Sequence, residues 1–165
     1  MVLAAQALAG LRRVTEIPIF ELHRAPWLVS TDPARLDLGE VHRWLTTASY
    51  WAEGVPRDVI ERGFRHSCSF GIYDEESDLA GFGRVVTDYA SIGYLADIFI
   101  LPESRGHGLG KLLVEAMLAH PQLQGLRHWL LMTRDAHGLY GQFGFTPLKA
   151  PQGAMERHDP DIYRR

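Results

Sequence analysis

Apolar and polar positions along the chain separate strands from helices. Trp27–Ser30 is a short apolar run closed by Ser-Thr-Asp-Pro, which predicts a strand and then a turn. Val41, Trp44 and Leu45 share a face at spacings of three and four behind Asp37, a residue suited to cap a helix. Gly54-Val-Pro-Arg interrupts that pattern, and Val59, Ile60 and Phe64 predict a second helix ending near His66. Cys68–Tyr73 and Leu79–Thr87 flank the polar stretch Asp74–Asp78, a hairpin pattern with a longer loop. Tyr94–Leu101 is nearly all apolar and reads as a central strand buried on both faces, ending at Pro102. Leu112, Leu113, Val114, Met117 and Leu118 suit a buried helix stopped by Pro121. Arg127–Thr133 reads as another buried strand, Asp135 as a helix cap, Gly144 as the stop of a short helix, and Phe145–Leu148 as a last strand. The order predicts a mixed α/β or α+β domain around one sheet.

Composition narrows the class without naming a chemistry. The chain has 165 residues, 46% hydrophobic and 22% charged, which fits one globular domain and excludes a disordered chain. The net charge of −3, with no basic block, argues against a nucleic-acid coat. Cys68 is the only cysteine, so an intrachain disulfide is excluded and a cytoplasmic, reducing setting is expected. No apolar stretch has the length of a membrane span. Met1–Leu11 is rich in Ala and Leu, but Arg12 and Arg13 follow it, the wrong order for a secretory signal. Residues 1–24 are therefore expected to be a leader or extra segment before a domain spanning 25–165.

The densest chemical signal is Arg105-Gly-His-Gly-Leu-Gly-Lys111, between a buried strand and a helix. Glycines there allow several amides to turn toward one point, and the helix start adds partial positive charge, which together suit phosphate or pyrophosphate. A nucleotide-binding Walker loop does not fit: Arg105 stands where its first glycine belongs, and Leu112 replaces the hydroxyl that would hold magnesium. Gly-x-Gly-x-x-Gly fails too, since its last position is Lys111 or Leu113.

Arg-x-x-Gly-x-Gly does fit, on Arg105, Gly108 and Gly110. This resembles the acetyl-CoA pyrophosphate loop of the GNAT superfamily of N-acetyltransferases. Leu95–Leu101 with Pro102-Glu-Ser-Arg-Gly is similar to the family's fourth strand and its continuation, with Ile100 at the usual valine position. Leu139-Tyr140-Gly-Gln-Phe143-Gly144-Phe145 resembles the segment that closes the family's second motif. The resemblance covers about a third of the chain, roughly Tyr94–Leu148. It implies a single α/β (α+β) domain with a mixed, mostly antiparallel central sheet flanked by helices.

It also implies acetyl transfer from acetyl-CoA, as co-substrate, to a primary amine in a ternary complex. An alkylammonium must lose a proton near neutral pH, which costs roughly 4–5 kcal/mol unassisted. By the resemblance, Ile98, Phe99 and Ile100 pair through their main chain with the pantetheine arm and touch the thioester carbonyl. Arg105, Gly106, His107, Gly108, Leu109, Gly110 and Lys111 hold the pyrophosphate, and Tyr140 matches the acid that protonates the departing thiolate. Asp97 is the base candidate, because a carboxylate in an apolar strand is costly unless paired or useful; a structural pair with a nearby arginine competes equally. Where many members carry an asparagine against the pantetheine, this chain has Thr133.

Further readings stay open. Tyr50 and Trp51, with Trp44 and Glu53, form either core or an aromatic wall that receives the acceptor cation. The acceptor is a small molecule or a peptide, with no nucleic acid and no membrane as partner, and a homodimer is compatible. No metal is expected, since the eight histidines are dispersed without a ligand motif. The alternative function is a catalytically inactive GNAT-fold acyl-CoA sensor or interaction module.

Overall fold

The computed structural model describes residues 17–163, so the expectation for Met1–Leu11 lies outside the described residues. One sheet of six strands runs in the order of the chain: β1 (Glu21–Arg24), β2 (Trp27–Ser30), β3 (Cys68–Tyr73), β4 (Leu79–Thr87), β5 (Ile92–Ile100) and β6 (His128–Leu131). The first five pair antiparallel and β6 lies parallel to β5, so the sheet is mixed and mostly antiparallel, as expected. Among the described residues four α-helices flank it: α1 (Leu38–Ala48), α2 (Arg57–Arg65), α3 (Leu109–Ala119) and α4 (His137–Gly141).

The helices cover opposite faces because apolar side chains of the sheet point both ways. Phe70, Ile72, Val85 and Leu95 pack with Leu113, Val114 and Met117 of α3 and with Tyr140 of α4. Phe82 and Phe99 point the other way, against Val41 and Leu45 of α1 and Val55 beyond it. Asp37 caps α1 as its sequence position predicts, its Oδ1 accepting from the amides of Gly39 (2.8 Å) and Glu40 (3.1 Å). The Asp74–Asp78 turn closes the β3–β4 hairpin, with the Asp78 amide on Asp74 Oδ1 at 2.8 Å. Among the described residues no helix is long and apolar enough to cross a membrane.

Several expectations need correction. The sheet begins before the anticipated boundary at residue 24: β1 pairs with β2 from Glu21↔Ser30 to Arg24↔Trp27. A four-residue edge strand, Glu-Leu-His-Arg, carries too few apolar residues to announce itself. Phe145–Leu148 forms no strand. Pro147 has no amide to donate to a ladder, so the outer edge of β6 stays open beside a groove of about 880 Å³ lined in part by Leu131, Phe143 and Phe145. β6 is shorter than Arg127–Thr133 and only partly buried, and β5 is not buried along both faces.

Candidate active site

A cleft opens where β5 and β6 stop pairing. Their ladder runs from Ile92↔His128 to Leu95↔Leu131, after which β5 continues to Ile100 without β6 beside it. The departure coincides with a β-bulge. Arg84 pairs with Ala96 and Phe82 with Phe99, so Gly83 alone faces both Asp97 and Ile98. Asp97 takes φ of +53°, the left-handed region that a short polar side chain tolerates better than most. A bulge bends and twists its strand, which turns the second half of β5 away from β6. Ile98, Phe99 and Ile100 thus keep β4 on one side and present their other backbone edge to the cleft. Phe99 is fixed by its ring, stacked on Trp44 with centroids 4.0 Å apart.

The glycine loop lies at the end of that strand. Arg105 turns back to donate from Nε to the Ile100 carbonyl at 3.1 Å, tying the loop to the strand. Gly106 and Gly108 have φ of +86° and +75°, and a Cβ on either would meet open space. Gly108 is the N-cap of α3 and supplies no capping side chain, so the first amides of the helix face outward. The result is a hollow of about 230 Å³ lined by Arg105, Gly106, Gly108–Lys111, Ile100 and Leu139. Its amides, helix dipole, Arg105 and Lys111 fit an anion of pyrophosphate size. His107 does not line the hollow; its ring lies 5.8 Å from that of Trp27 on β2.

On α4, Tyr140 lines the groove of about 880 Å³ beside β6, whereas its neighbour Leu139 lines the glycine-loop hollow. The Tyr140 ring is buried edge-on to Phe145 at 6.0 Å. Burial first, then the neighbouring Tyr50 and Asp135, push its hydroxyl up to about 12, so it holds its proton at neutral pH. Thr133, not Asp135, serves the start of α4: Thr133 Oγ1 accepts from the Ala136 amide at 3.0 Å, and the N-cap position is Ala136. The Thr133 hydroxyl keeps its own hydrogen to donate, and the side chain lines the groove beside β6. Asp135 caps nothing and is exposed.

Asp97 is paired. Its Oδ2 takes Arg84 Nε at 2.5 Å and its Oδ1 takes Trp51 Nε1 at 3.2 Å. The structural pair weighed against a base role is therefore present, joined by an indole that sequence reasoning did not connect to it. Trp51 is held in place from below. Ser49 Oγ donates to the Leu45 carbonyl at 2.6 Å and accepts from the Ala52 amide at 3.2 Å, which pins the turn after α1. Trp44 belongs to the core against Phe99, whereas Tyr50 and Trp51 are 51% and 42% exposed at the mouth of the cleft. Arg134, from the β6–α4 loop, lies over the Tyr50 ring at 3.8 Å and was not singled out by sequence. Only its position six residues before Tyr140 could have marked it. Among the described residues no three His, Cys, Asp or Glu side chains converge as a metal site.

The chain matches known proteins over most of this architecture. The family model described as the acetyltransferase (GNAT) family matches residues 38–145, from α1 to the residue after Gly144. A Gibberella zeae protein provisionally named an acetyltransferase is 33% identical over 140 residues, covering 72% of this chain and 78% of that one. A crystal structure from Xanthomonas campestris pv. campestris, provisionally titled a GNAT-family acetyltransferase, is 46% identical with a TM-score of 0.81, covering 84% of this chain and 97% of the other. A Staphylococcus aureus protein of unknown function, titled a probable acetyltransferase, shares the fold at 23% identity and a TM-score of 0.62, over 81% of this chain and 99% of its own. With the bulged strand, the glycine loop and the Tyr140 segment all inside the matched region, the chain belongs to the GNAT acetyltransferase family.

Proposed function

We propose that the chain transfers the acetyl group of acetyl-CoA directly to a primary amine within a ternary complex. The observation that carries this reading is the bulge at Asp97, which frees the backbone edge of Ile98–Ile100, a strand end that runs into the glycine-loop hollow through Ile100. Acetyl-CoA, as co-substrate, supplies an activated thioester and a pyrophosphate. The loop Arg105–Lys111 holds the anion through amides and the start of α3. The free edge of β5 receives the pantetheine amides and polarises the thioester carbonyl in the manner of an oxyanion hole. Tyr140 donates its proton to the departing thiolate, and a hydroxyl pushed up to about 12 by burial is a neutral donor that keeps its proton throughout neutral pH.

The acceptor enters from the side of Tyr50 and Trp51. Asp97 takes the amine proton through water, on lone pairs that Arg84 and Trp51 leave free. The test is release of free CoA across a panel of amines, with Tyr140→Phe as the diagnostic variant. Removing a positioned acid should cut kcat by roughly 10²–10⁴-fold. Affinity for CoA by calorimetry should stay within about twofold, since the hydroxyl is not part of the anion loop. Equal turnover by the variant refutes the acid role; CoA binding without release in the wild-type protein across the panel refutes acetyl transfer.

A further inference from the structure

Two loops meet over the acceptor side of the cleft. Arg134 lies 3.8 Å above the Tyr50 ring, and Tyr50 stands edge-on to Trp51 with centroids 4.9 Å apart. Trp51 in turn reaches Asp97, which Arg84 already neutralises at 2.5 Å. Along this row one cation therefore has no anion. Among the described residues Arg134 has neither a carboxylate within 4.0 Å nor a hydrogen bond, although Asp135 follows it directly. Stacking on a ring face satisfies none of the five N–H donors, which lie in the guanidinium plane and point outward as a rigid fork. It does hold that fork in place, so little rotamer freedom remains to be lost when a planar anion binds.

We infer that Arg134 binds an anionic group of the acceptor, carboxylate or phosphate, so that the acceptor is an amine carrying such a group near its nitrogen. The inference rests on the acetyl-transfer reading above and names the substrate class for the same site. A zwitterionic acceptor matches the charges at the mouth: its anion meets Arg134, while its ammonium faces Asp97, reached from Tyr50 through Trp51. A plain polyamine would instead bring a second cation against an unpaired guanidinium, at a repulsive cost. Tyr50, half exposed, supplies the platform and leaves room for the acceptor to cover it.

The competing account is a surface clasp that joins two loops and recognises nothing, and matched substrates separate the two. Steady-state kinetics would compare 4-aminobutyrate with 4-aminobutyramide, and O-phosphoethanolamine with ethanolamine. The anionic member of one pair should be favoured about tenfold or more in kcat/KM, mainly through KM, the size of one charge-assisted hydrogen-bonded contact. The pair that shows the preference identifies carboxylate or phosphate. Arg134→Gln should reduce the ratio to within about twofold, and Arg134→Lys should restore only part of it, because the ammonium keeps the charge but not the fork. Equal use of both members by the wild-type protein, or a preference that survives Arg134→Gln, overturns the inference. If no amine is acetylated, the acetyl-transfer reading fails separately, and calorimetry with N-acetyl-4-aminobutyrate and N-acetyl-O-phosphoethanolamine decides for Arg134. Binding lost in Arg134→Gln supports it; binding absent, or unchanged by the substitution, overturns it.

Discussion

Replacing Gly83 with alanine tests the link between the core and the cleft. Gly83 is the one residue of β4 that faces the two bulged residues of β5. A Cβ there would stand 2.5 Å from Met117 Cε, 2.8 Å from Ile98 Cγ1 and 3.3 Å from Leu113 Cδ2. Favourable carbon contacts begin near 3.5 Å, so the Met117 methyl must withdraw by about 1 Å and Ile98 by about 0.7 Å. Met117 and Leu113 are both 0% exposed, and neither has solvent to move into. One extra methyl in a packed core costs about 1–3 kcal/mol, and the lost glycine freedom of the unfolded chain returns about 0.5–1 kcal/mol. The net expectation is a destabilisation of about 0.5–2 kcal/mol. In urea, with a slope of about 2 kcal/mol/M, the tryptophan-fluorescence midpoint should fall by roughly 0.25–1 M at constant slope. Ile98 sits in the bulge, so CoA affinity measured by calorimetry should weaken in the same variant. Gly138→Ala is the control: its Cβ meets nothing within 4 Å on α4, and it should stabilise by about 0.4–1 kcal/mol. An unchanged or higher midpoint for Gly83→Ala, with unchanged CoA affinity, would refute the argument that α3 and the bulge are braced at this glycine.

Three other substitutions probe different links. Gly108→Val places a β-branched residue at φ of +75° at the start of α3, and it should abolish CoA binding by calorimetry while costing about 1–2 kcal/mol of stability. Asp97→Asn keeps an acceptor for Trp51 but strands the Arg84 guanidinium, 23% exposed, beside a neutral group; thermal unfolding should show a loss of about 1–3 kcal/mol, less than for a fully buried pair. If Asp97 also takes the amine proton, the acidic limb of the kcat/KM profile disappears in this variant, and a retained limb removes it from proton transfer. His120 is buried with Nδ1 accepting from the Gln122 amide at 3.2 Å and Nε2 unpartnered near the Phe20 and Phe70 rings, and burial holds its pKa below the ordinary value of 6.5. The unfolded chain therefore takes up this proton before the folded one. Stability is full above pH about 6.5 and declines as pH falls toward the folded pKa. The drop in Tm between pH 8 and 5.5 should be smaller in His120→Asn, and an equal drop would assign the acid sensitivity elsewhere.

What the sequence made legible was local chemistry: the Asp37 cap, the Asp74–Asp78 turn, the glycine loop and the Tyr140 segment each depend on residues within a few positions of one another. What it hid depends on register between distant strands. Asp97 stood out as a carboxylate in an apolar run, but its partner Arg84 lies across a ladder whose offset no local pattern records. The apolar run itself shows why. Leu95 and Phe99 have the same parity, so an unbroken strand would place them on one face of the sheet. Leu95 instead packs with the α3 side and Phe99 with the α1 side, while Ile98 and Ile100 have joined the face that Leu95 occupies. The single extra residue at the bulge exchanges the faces midway along the strand. A strand that fills both faces in succession reads, by composition, as one buried on both faces throughout, which is why the run predicted a central strand and not a cleft. The same exchange turns the end of β5 away from β6 and opens the backbone edge of Ile98–Ile100. The position that periodicity analysis misread is therefore the one on which the proposed chemistry depends.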